Sequence, residues 1–220
     1  MQKRRRRDVP VSRDPSGKDV AVPREYWEEL SQRNIDSICE RAMADRSTPH
    51  GIILPFLGRQ ILLDLNESSL KVLKYGTWHR ADYPLLELLS LVYLLNVDSE
   101  PLSNEIIGVH ELKDSHFFRG PHELRVQGIV DRFGKDPDGF RGASESLGGE
   151  PLDMADLAYR FFPMPKVPLY YLLWLGDEEF DARVSVLFDR TIDRYLFPDA
   201  IWGIVNLVSD ALLMAPDYPF

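Results

Sequence analysis

The sequence predicts an α+β fold in which antiparallel strands, a hairpin or meander in each half, are covered by helices within a single domain. Three observations lead to this prediction. Short apolar runs bounded by turn residues alternate with longer helical patterns. Both halves of the chain follow the order helix, strands, helix. The 220 residues are 44% hydrophobic and 11% aromatic, which is enough apolar chain to bury one core.

In the first half, Pro23 can open a helix, and an apolar stripe predicts that this helix continues to about Asp45. Residues 52–57 and 60–65 are two short apolar runs separated by a glycine-containing turn, which predicts a β-hairpin. Residues 70–75 predict a third strand that ends at the next glycine.

The middle of the chain predicts three more helices. Residues 85–97 are nearly all apolar, so they predict a central core helix that is too short to cross a membrane. Residues 106–112 fit either a strand or an irregular edge. Helical patterns follow over residues 121–133, and from Asp136 to the glycine pair at positions 148 and 149.

The last third predicts a three-stranded antiparallel meander and a closing helix. Residues 157–162, 167–175 and 184–188 are rich in aromatic and β-branched residues, and prolines or glycine separate them. Residues 167–175 are apolar at nearly every position, which predicts a central strand covered on both faces. The pattern over residues 198–214 predicts the final helix.

Charge divides the chain into a basic start and an acidic remainder. Residues 1–18, with arginine at positions 4–7, carry a net charge of +5, whereas residues 19–220 carry −14. We therefore predict a flexible basic arm over residues 1–22 and one folded domain over residues 23–220. The acidic domain repels nucleic acid, so we expect no nucleic-acid partner, and the arm is the expected contact for an acidic protein partner.

The expected compartment follows from what surrounds the basic start and from the cysteine content. Acidic residues and prolines follow the arginines, where a signal peptide would be apolar, and no run is long enough to span a bilayer. The single cysteine, Cys39, cannot supply the disulfides of a stapled secreted domain. We therefore expect a cytoplasmic protein without membrane contact.

Six segments of the chain together resemble one known family. The segments are Leu54-Pro55-Phe56-Leu57-Gly58-Arg59, Phe133-Gly134-Lys135-Asp136-Pro137, Leu147-Gly148-Gly149, Pro165-Lys166-Val167-Pro168, Leu173-Trp174-Leu175-Gly176-Asp177-Glu178-Glu179-Phe180 and Val186-Leu187-Phe188-Asp189. In order and spacing they resemble the domain-of-unknown-function family numbered 3786, which occurs in anaerobic bacteria and archaea. The resemblance covers residues 24–214, and its most specific part runs from residue 148 to residue 189.

This resemblance implies a role in anaerobic cofactor metabolism. Some members carry a cysteine-rich iron–sulfur segment, and some occur among genes for corrinoid-dependent methyl transfer. Cys39 alone cannot ligate a cluster that takes four thiolates, so we expect no iron–sulfur cluster in this chain. The remaining implication is a corrinoid or haem-like ligand.

Aromatic residues near the predicted central strand are candidates for binding a planar ligand. Alternation along residues 167–175 places Tyr170 and Trp174 on one face of the strand. Together with Phe188, these rings are candidates to line a flat pocket for a tetrapyrrole or another planar small molecule. The alternative is packing in the core against the predicted helices.

Two histidines are candidate ligands for a transition metal or a haem-type group. His110 and His116 lie six residues apart in a loop that also contains Glu111 and Asp114, so the loop could bring them together. The alternative is that both histidines are ordinary polar residues on the surface.

Carboxylates cluster around the last two predicted strands. Asp177 and Glu179 lie in the loop between these strands, and Asp189 ends the second strand. Such residues are candidate ligands for a hard metal, or an acid–base pair. The alternative for the loop is a turn in which a carboxylate accepts hydrogen bonds from nearby backbone.

No catalytic motif accompanies these candidates, since the sequence lacks a nucleophile elbow, a Walker loop and a dinucleotide-binding fingerprint. With the resemblance, this leads us to expect a non-catalytic ligand-binding or accessory protein of anaerobic cofactor metabolism, with a corrinoid or haem as its sharpest version. Two alternatives stay open. One is a metal-dependent enzyme that uses the carboxylate cluster, and the other is a structural or interaction subunit of a larger complex.

Overall fold

The structure is a computed structural model that describes residues 20–47, 51–215 and 218. Residues 1–19, which make up most of the predicted basic arm, lie outside the described residues. The described residues form six α-helices and two five-stranded antiparallel sheets, so the predicted α+β class is confirmed. No helix among them is long and apolar enough to cross a membrane.

Prolines and polar caps determine where several of the helices begin. The helices are α1 (Arg24–Gln32), α2 (Ile35–Ala42), α3 (Pro84–Asn96), α4 (Gln127–Phe133), α5 (Pro137–Ser146) and α6 (Pro198–Met214). Proline occupies the first turn of α3, α5 and α6, where its missing N–H is not needed. Asp136 also caps α5, because its carboxylate accepts a hydrogen bond from the Gly139 N–H (2.9 Å).

The first sheet is a meander in which each strand pairs with the next strand along the chain. Its strands are β1 (Asp45–Ser47), β2 (Gly51–Phe56), β3 (Arg59–Asp64), β4 (Ser69–Lys74) and β5 (Thr77–Arg80). The predicted hairpin and third strand are confirmed as β2, β3 and β4. The prediction missed β1 and β5, which are short and mostly polar.

The second sheet has the strand order β6-β10-β9-β8-β7. Its strands are β6 (Ile106–Ile107), β7 (Glu150–Leu152), β8 (Leu157–Met164), β9 (Val167–Trp174) and β10 (Arg183–Asp189). The predicted meander is confirmed as β8, β9 and β10, and every residue of the central strand β9 except Trp174 is buried. The segment 106–112 contains both open possibilities, a two-residue strand and then the 3-10 helix Val109–Glu111.

The predicted first helix is two helices. α1 ends at Gln32, the backbone is extended at Arg33 and Asn34, and α2 starts at Ile35. Asn34 causes this break, because its side chain accepts a hydrogen bond from the Ser37 N–H (3.1 Å) and caps α2. The apolar stripe continues through Asn34, so the sequence pattern alone did not indicate that one helix ends and another begins there.

The helix predicted over residues 121–133 is also shorter than expected. The 3-10 helix Gly120–His122 comes first, and α4 begins only at Gln127. Between them, the carbonyl of Glu123 accepts a hydrogen bond from the indole N–H of Trp202 (3.2 Å), a contact with α6 instead of a helical bond.

One hydrophobic core joins the helices to both sheets. The turn between β2 and β3 packs at the edge of this core, against the second sheet. The N–H of Leu57 in this turn donates to the carbonyl of Phe162 in β8 (3.3 Å). Gly58, next to it, lies so close to Gly148 that a Cβ atom on Gly148 would be 3.2 Å from the Gly58 Cα. These contacts hold the first sheet against the second.

Candidate functional site

The outer face of the second sheet carries a hydrophobic cluster separate from the main core. Along β9, Tyr171 points into the main core, whereas Tyr170, Leu172 and Trp174 point to the opposite face. We call the residues on that face the outer cluster. It consists of Ala158, Tyr170 and Leu172, with Leu152, Ala155, Trp174 and Leu187 packed against them. The predicted alternation of Tyr170 and Trp174 is therefore present in the fold.

The outer cluster is built entirely from strands β7 to β10 and the loop between β7 and β8. No helix among the described residues contributes to it, whereas the main core draws on all six helices. Tyr170 and Leu172, at the centre of the cluster, are only 5% and 4% exposed. Trp174 and Leu187 are partly exposed, as are Leu152 and Ala155 at the other side of the cluster.

Two arginines lie over aromatic rings on this face. The Arg183 guanidinium carbon is 4.2 Å from the centroid of the Trp174 ring, and that of Arg160 is 5.1 Å from the centroid of Phe162. Arg160 also forms an ion pair with Glu150 of β7, in which its Nε donates at 2.9 Å. Glu150 balances the charge of Arg160, so the positive charge beside an apolar ring on this face comes from Arg183. Neither arginine could be identified from the sequence, because only the strand register shows which rings they face.

Phe188, the third predicted aromatic ligand, lies on the other side of the sheet. It is fully buried in the main core, opposite Leu169 of β9 and Ile107 of β6. Strand alternation places Leu187 on the outer face instead. The structure therefore separates Phe188 from Tyr170 and Trp174.

The two predicted histidine ligands lie on short helices after β6. His110 is in the 3-10 helix Val109–Glu111, His116 is in the 3-10 helix Ser115–Phe117, and both are exposed. Neither belongs to the outer cluster. The histidine with ring contacts is His122, which stacks on Phe117 with a centroid distance of 4.3 Å and meets Trp202 edge-on at 5.7 Å.

Asp189, at the end of β10, is a fully buried carboxylate that joins three parts of the chain. It accepts hydrogen bonds from the backbone N–H groups of Ser103 (3.2 Å), Asn104 (2.7 Å) and Thr191 (2.9 Å), and from the Ser103 and Thr191 hydroxyls. Burial alone would raise the pKa of Asp189, but the bonds from Thr191 and Ser103 outweigh burial and lower it. The carboxylate is thus ionised and used in holding the 98–104 loop.

Buried polar contacts continue from Asp189 to the turn between β8 and β9. The Thr191 hydroxyl lies 3.3 Å from the Tyr195 hydroxyl, which donates to the Lys166 carbonyl. Lys166 is 6% exposed, and its Nζ donates to the carbonyls of Asp98 (2.8 Å) and Glu100 (3.0 Å). Burial raises the pKa of Tyr195 to about 12, so its hydroxyl stays protonated and available as a donor. This network fixes loops and holds no pair poised for proton transfer.

Asp177 and Glu179 lie in the exposed loop between β9 and β10. The Asp177 carboxylate accepts hydrogen bonds from the N–H groups of Phe180 (2.7 Å) and Glu179 (2.8 Å), and these bonds lower its pKa. This is the turn that the sequence left open as the alternative for this loop.

The three predicted metal ligands are not brought together. Strand β10 starts at Arg183, beside the loop that holds Asp177, and ends at Asp189. A strand of this length separates the two carboxylates by about 20 Å. Across the described ranges, no three His, Cys, Asp or Glu side chains are placed to hold a metal ion.

Comparison with known proteins adds one match. A family model described as Domain of unknown function (DUF3786) matches residues 34–211, which is most of the chain. The matched range contains the outer cluster and the whole Asp189 network. No curated protein and no solved structure matches the chain.

Proposed function

The chain belongs to the family described as Domain of unknown function (DUF3786), and we propose that it is a non-catalytic binding protein whose ligand lies on the outer face of the second sheet. The observation that carries this proposal is the outer cluster itself. It is a hydrophobic cluster on a sheet face to which none of the described helices contributes, and Trp174 and Leu187 are partly exposed at its surface. Apolar sheet faces are normally buried against another layer, so this one is suited to a bound molecule.

The composition of the face also favours binding. Tryptophan, tyrosine and arginine are the residues that contribute most to binding energy at interfaces, because they combine large apolar area with a polar group. Trp174 and Arg183 form one such pair on the outer face, and Phe162 and Arg160 form another. Both pairs come from strands, which hold them rigidly.

The ligand that fits this chemistry is flat, apolar and negatively charged at its rim. Arg160 and Arg183 are separated by two strand spacings across the sheet and by four residues along it. With ordinary sheet spacings, their Cα atoms are therefore about 16 Å apart. That span is comparable with the width of a tetrapyrrole. A haem is the most specific candidate, because its two carboxylates lie on one edge of a flat apolar ring and Arg183 beside Trp174 supplies a cation for that edge. A corrinoid, which shares the flat ring but has an amide rim, is the second tetrapyrrole to test.

A titration of the full chain with haemin and, in a separate arm, with cobalamin tests this proposal. We expect saturable changes in the visible spectrum and in tryptophan fluorescence with haemin, weakened in Arg183→Gln. Saturation with cobalamin alone would assign the corrinoid instead. The absence of a saturable change with either probe would overturn the tetrapyrrole proposal.

The alternative of a metal-dependent enzyme gains no support from the fold. Its ligands Asp177, Glu179 and Asp189 lie at opposite ends of β10, and hydrogen bonds already occupy both aspartates. A partner-binding role is favoured by a separate feature of the first sheet, the exposed turn and, within the described residues, unpaired edge of its last hairpin.

A further inference from the structure

Two hairpins of the first sheet have the same kind of turn. The turn between β2 and β3 has Leu57 and Gly58 at its centre, with φ angles of 46° and 71°. The turn between β4 and β5 has Tyr75 and Gly76, with φ angles of 51° and 79°. Two central residues with positive φ define the two-residue turn that favours Asn-Gly or Asp-Gly. A bulky residue at the first position is therefore strained in both hairpins.

The strain at Leu57 is offset by burial. Its side chain is 3% exposed, and its N–H donates to the carbonyl of Phe162 in the second sheet (3.3 Å). Gly58 packs against Gly148 with backbone contacts of 3.4 Å from its ideal Cβ position. The turn between β2 and β3 is thus packed against the second sheet and the Gly148 turn of the same chain.

The strain at Tyr75 has no such offset. Its side chain is fully exposed, and a Cβ atom placed on Gly76 would meet nothing within 4 Å. Within the described residues, no hydrogen bond or ring contact involves the Tyr75 side chain. Unfavourable backbone conformations persist at functional positions more than elsewhere, so an undocked tyrosine in this turn points to a partner outside the chain.

The strand beside this turn offers a free edge. β5 is the last strand of the first sheet. The N–H of Ala81 donates to the carbonyl of Leu70 in β4 (3.0 Å), so by alternation the backbone groups of Trp78 and Arg80 point away from β4. In the described residues nothing pairs with that edge. Such a row of unpaired groups is a template for an added strand.

Charge indicates which kind of strand would be added. Residues 69–81 contain Lys71, Lys74, His79 and Arg80 and no acidic residue, although the whole chain carries −9. Lys71 already forms ion pairs with Asp64 and Glu67. Lys74 and Arg80 are exposed around Tyr75 and β5, and Arg80 also interacts electrostatically with Glu87. We propose that the β4–β5 hairpin docks an extended acidic segment of a partner protein, which adds to β5 and packs against Tyr75.

Ten-residue peptides that alternate threonine or valine with glutamate are the probe, and the same peptides with lysine are the charge control. We expect the glutamate peptides, and not the lysine peptides, to bind the full chain in fluorescence anisotropy. Arg80→Pro, which removes an outward N–H, should weaken binding by at least about tenfold more than Arg80→Ala. No binding at up to about 1 mM peptide would overturn the proposal.

Tyr75→Asn separates docking from folding. Asparagine is preferred in this turn, so the variant should raise Tm by about 2–4 °C while abolishing peptide binding. Phe197→Ala, which removes another exposed ring elsewhere, should leave peptide binding unchanged. Unchanged binding in Tyr75→Asn would overturn the role of the tyrosine. A Tyr75-dependent dimer in sedimentation would assign the edge to a second copy and overturn the acidic partner.

Discussion

Arg183 of β10 lies directly opposite Trp174 of β9, and its guanidinium carbon is 4.2 Å from the centroid of the indole ring. Both residues lie on the outer face of the second sheet, where Trp174 borders the outer cluster. The pair places a positive charge next to an apolar surface without placing either group in the main core. Its energetic role should therefore be in binding more than in folding.

Arg183→Gln should reduce the free energy of unfolding by no more than about 1 kcal/mol, because a cation–π contact at an exposed site contributes about that much. Urea denaturation measures this directly. A loss of several kcal/mol would contradict this expectation. It would mean that the pair stabilises the fold, so that weaker ligand binding in Arg183→Gln could be explained by unfolding alone.

Asp189→Asn should reduce the free energy of unfolding by about 2–4 kcal/mol, since an amide satisfies fewer of the donors around this buried carboxylate. Thr191→Val, which removes one hydroxyl donor, should cost about 1 kcal/mol. Urea denaturation at neutral pH compares the two variants. Equal stability of Asp189→Asn and the wild type would contradict the network.

Lowering the pH should show how much the Asp189 carboxylate contributes to stability. The pKa of Asp189 is lower in the folded protein than in the unfolded chain. Its stabilising contribution is therefore complete above the unfolded pKa of about 3.9 and is lost as the pH falls through the folded pKa. Below about pH 4, the wild type should lose stability more steeply than Asp189→Asn in urea denaturation curves measured at several pH values.

Glu87 should behave in the opposite way. It lies in α3, where it accepts a hydrogen bond from the indole N–H of Trp27 (3.0 Å), and burial raises its pKa. A raised folded pKa gives stability that is present below the unfolded pKa of about 4.3 and is lost as the pH rises through the folded pKa. Glu87→Gln should remove this loss, so its stability relative to the wild type should increase as the pH rises above about 4.3. Parallel stability curves for the two proteins would show that Glu87 does not titrate differently on folding.

The contact between Gly58 and Gly148 predicts a strong effect of one methyl group. Gly148 has φ +73°, and a Cβ atom would lie 3.2 Å from the Gly58 Cα, so Gly148→Ala should destabilise by about 1–3 kcal/mol. Gly142→Ala is the matched control in α5, where a Cβ atom would meet nothing within 4 Å, and it should stabilise by about 0.5–1 kcal/mol. Thermal unfolding distinguishes the two, and similar effects would contradict the close approach.

Patterns local to one strand or helix could be predicted from the sequence. The alternation of Tyr170 and Trp174 requires only the period of one strand, and the apolar run of α3 identifies a core helix by itself. The family resemblance, which depends on short local segments, is also confirmed. The break at Asn34 escaped prediction because a single capping side chain, compatible with a continuing apolar stripe, ended the helix.

Relations between distant segments could not be predicted. Phe188 and Trp174 are both aromatic and both on strands, but the register of β9 and β10 places them on opposite faces. In the sequence, Asp189 looks like a possible metal ligand. In the fold, its carboxylate accepts hydrogen bonds from the loop that contains Ser103, which is 86 residues away along the chain. The outer position of Arg183 likewise depends on which residue it faces in β9.

The dissociation constant for haemin in Trp174→Ala, compared with Trp78→Ala, tests the binding face most directly. Both tryptophans are partly exposed on strands, but Trp78 lies in the first sheet, far from the outer cluster along the chain. We predict that Trp174→Ala weakens haemin binding by at least about tenfold and that Trp78→Ala leaves it unchanged. Equal affinity of the two variants, or stronger loss in Trp78→Ala, would contradict a ligand site on the outer face of the second sheet.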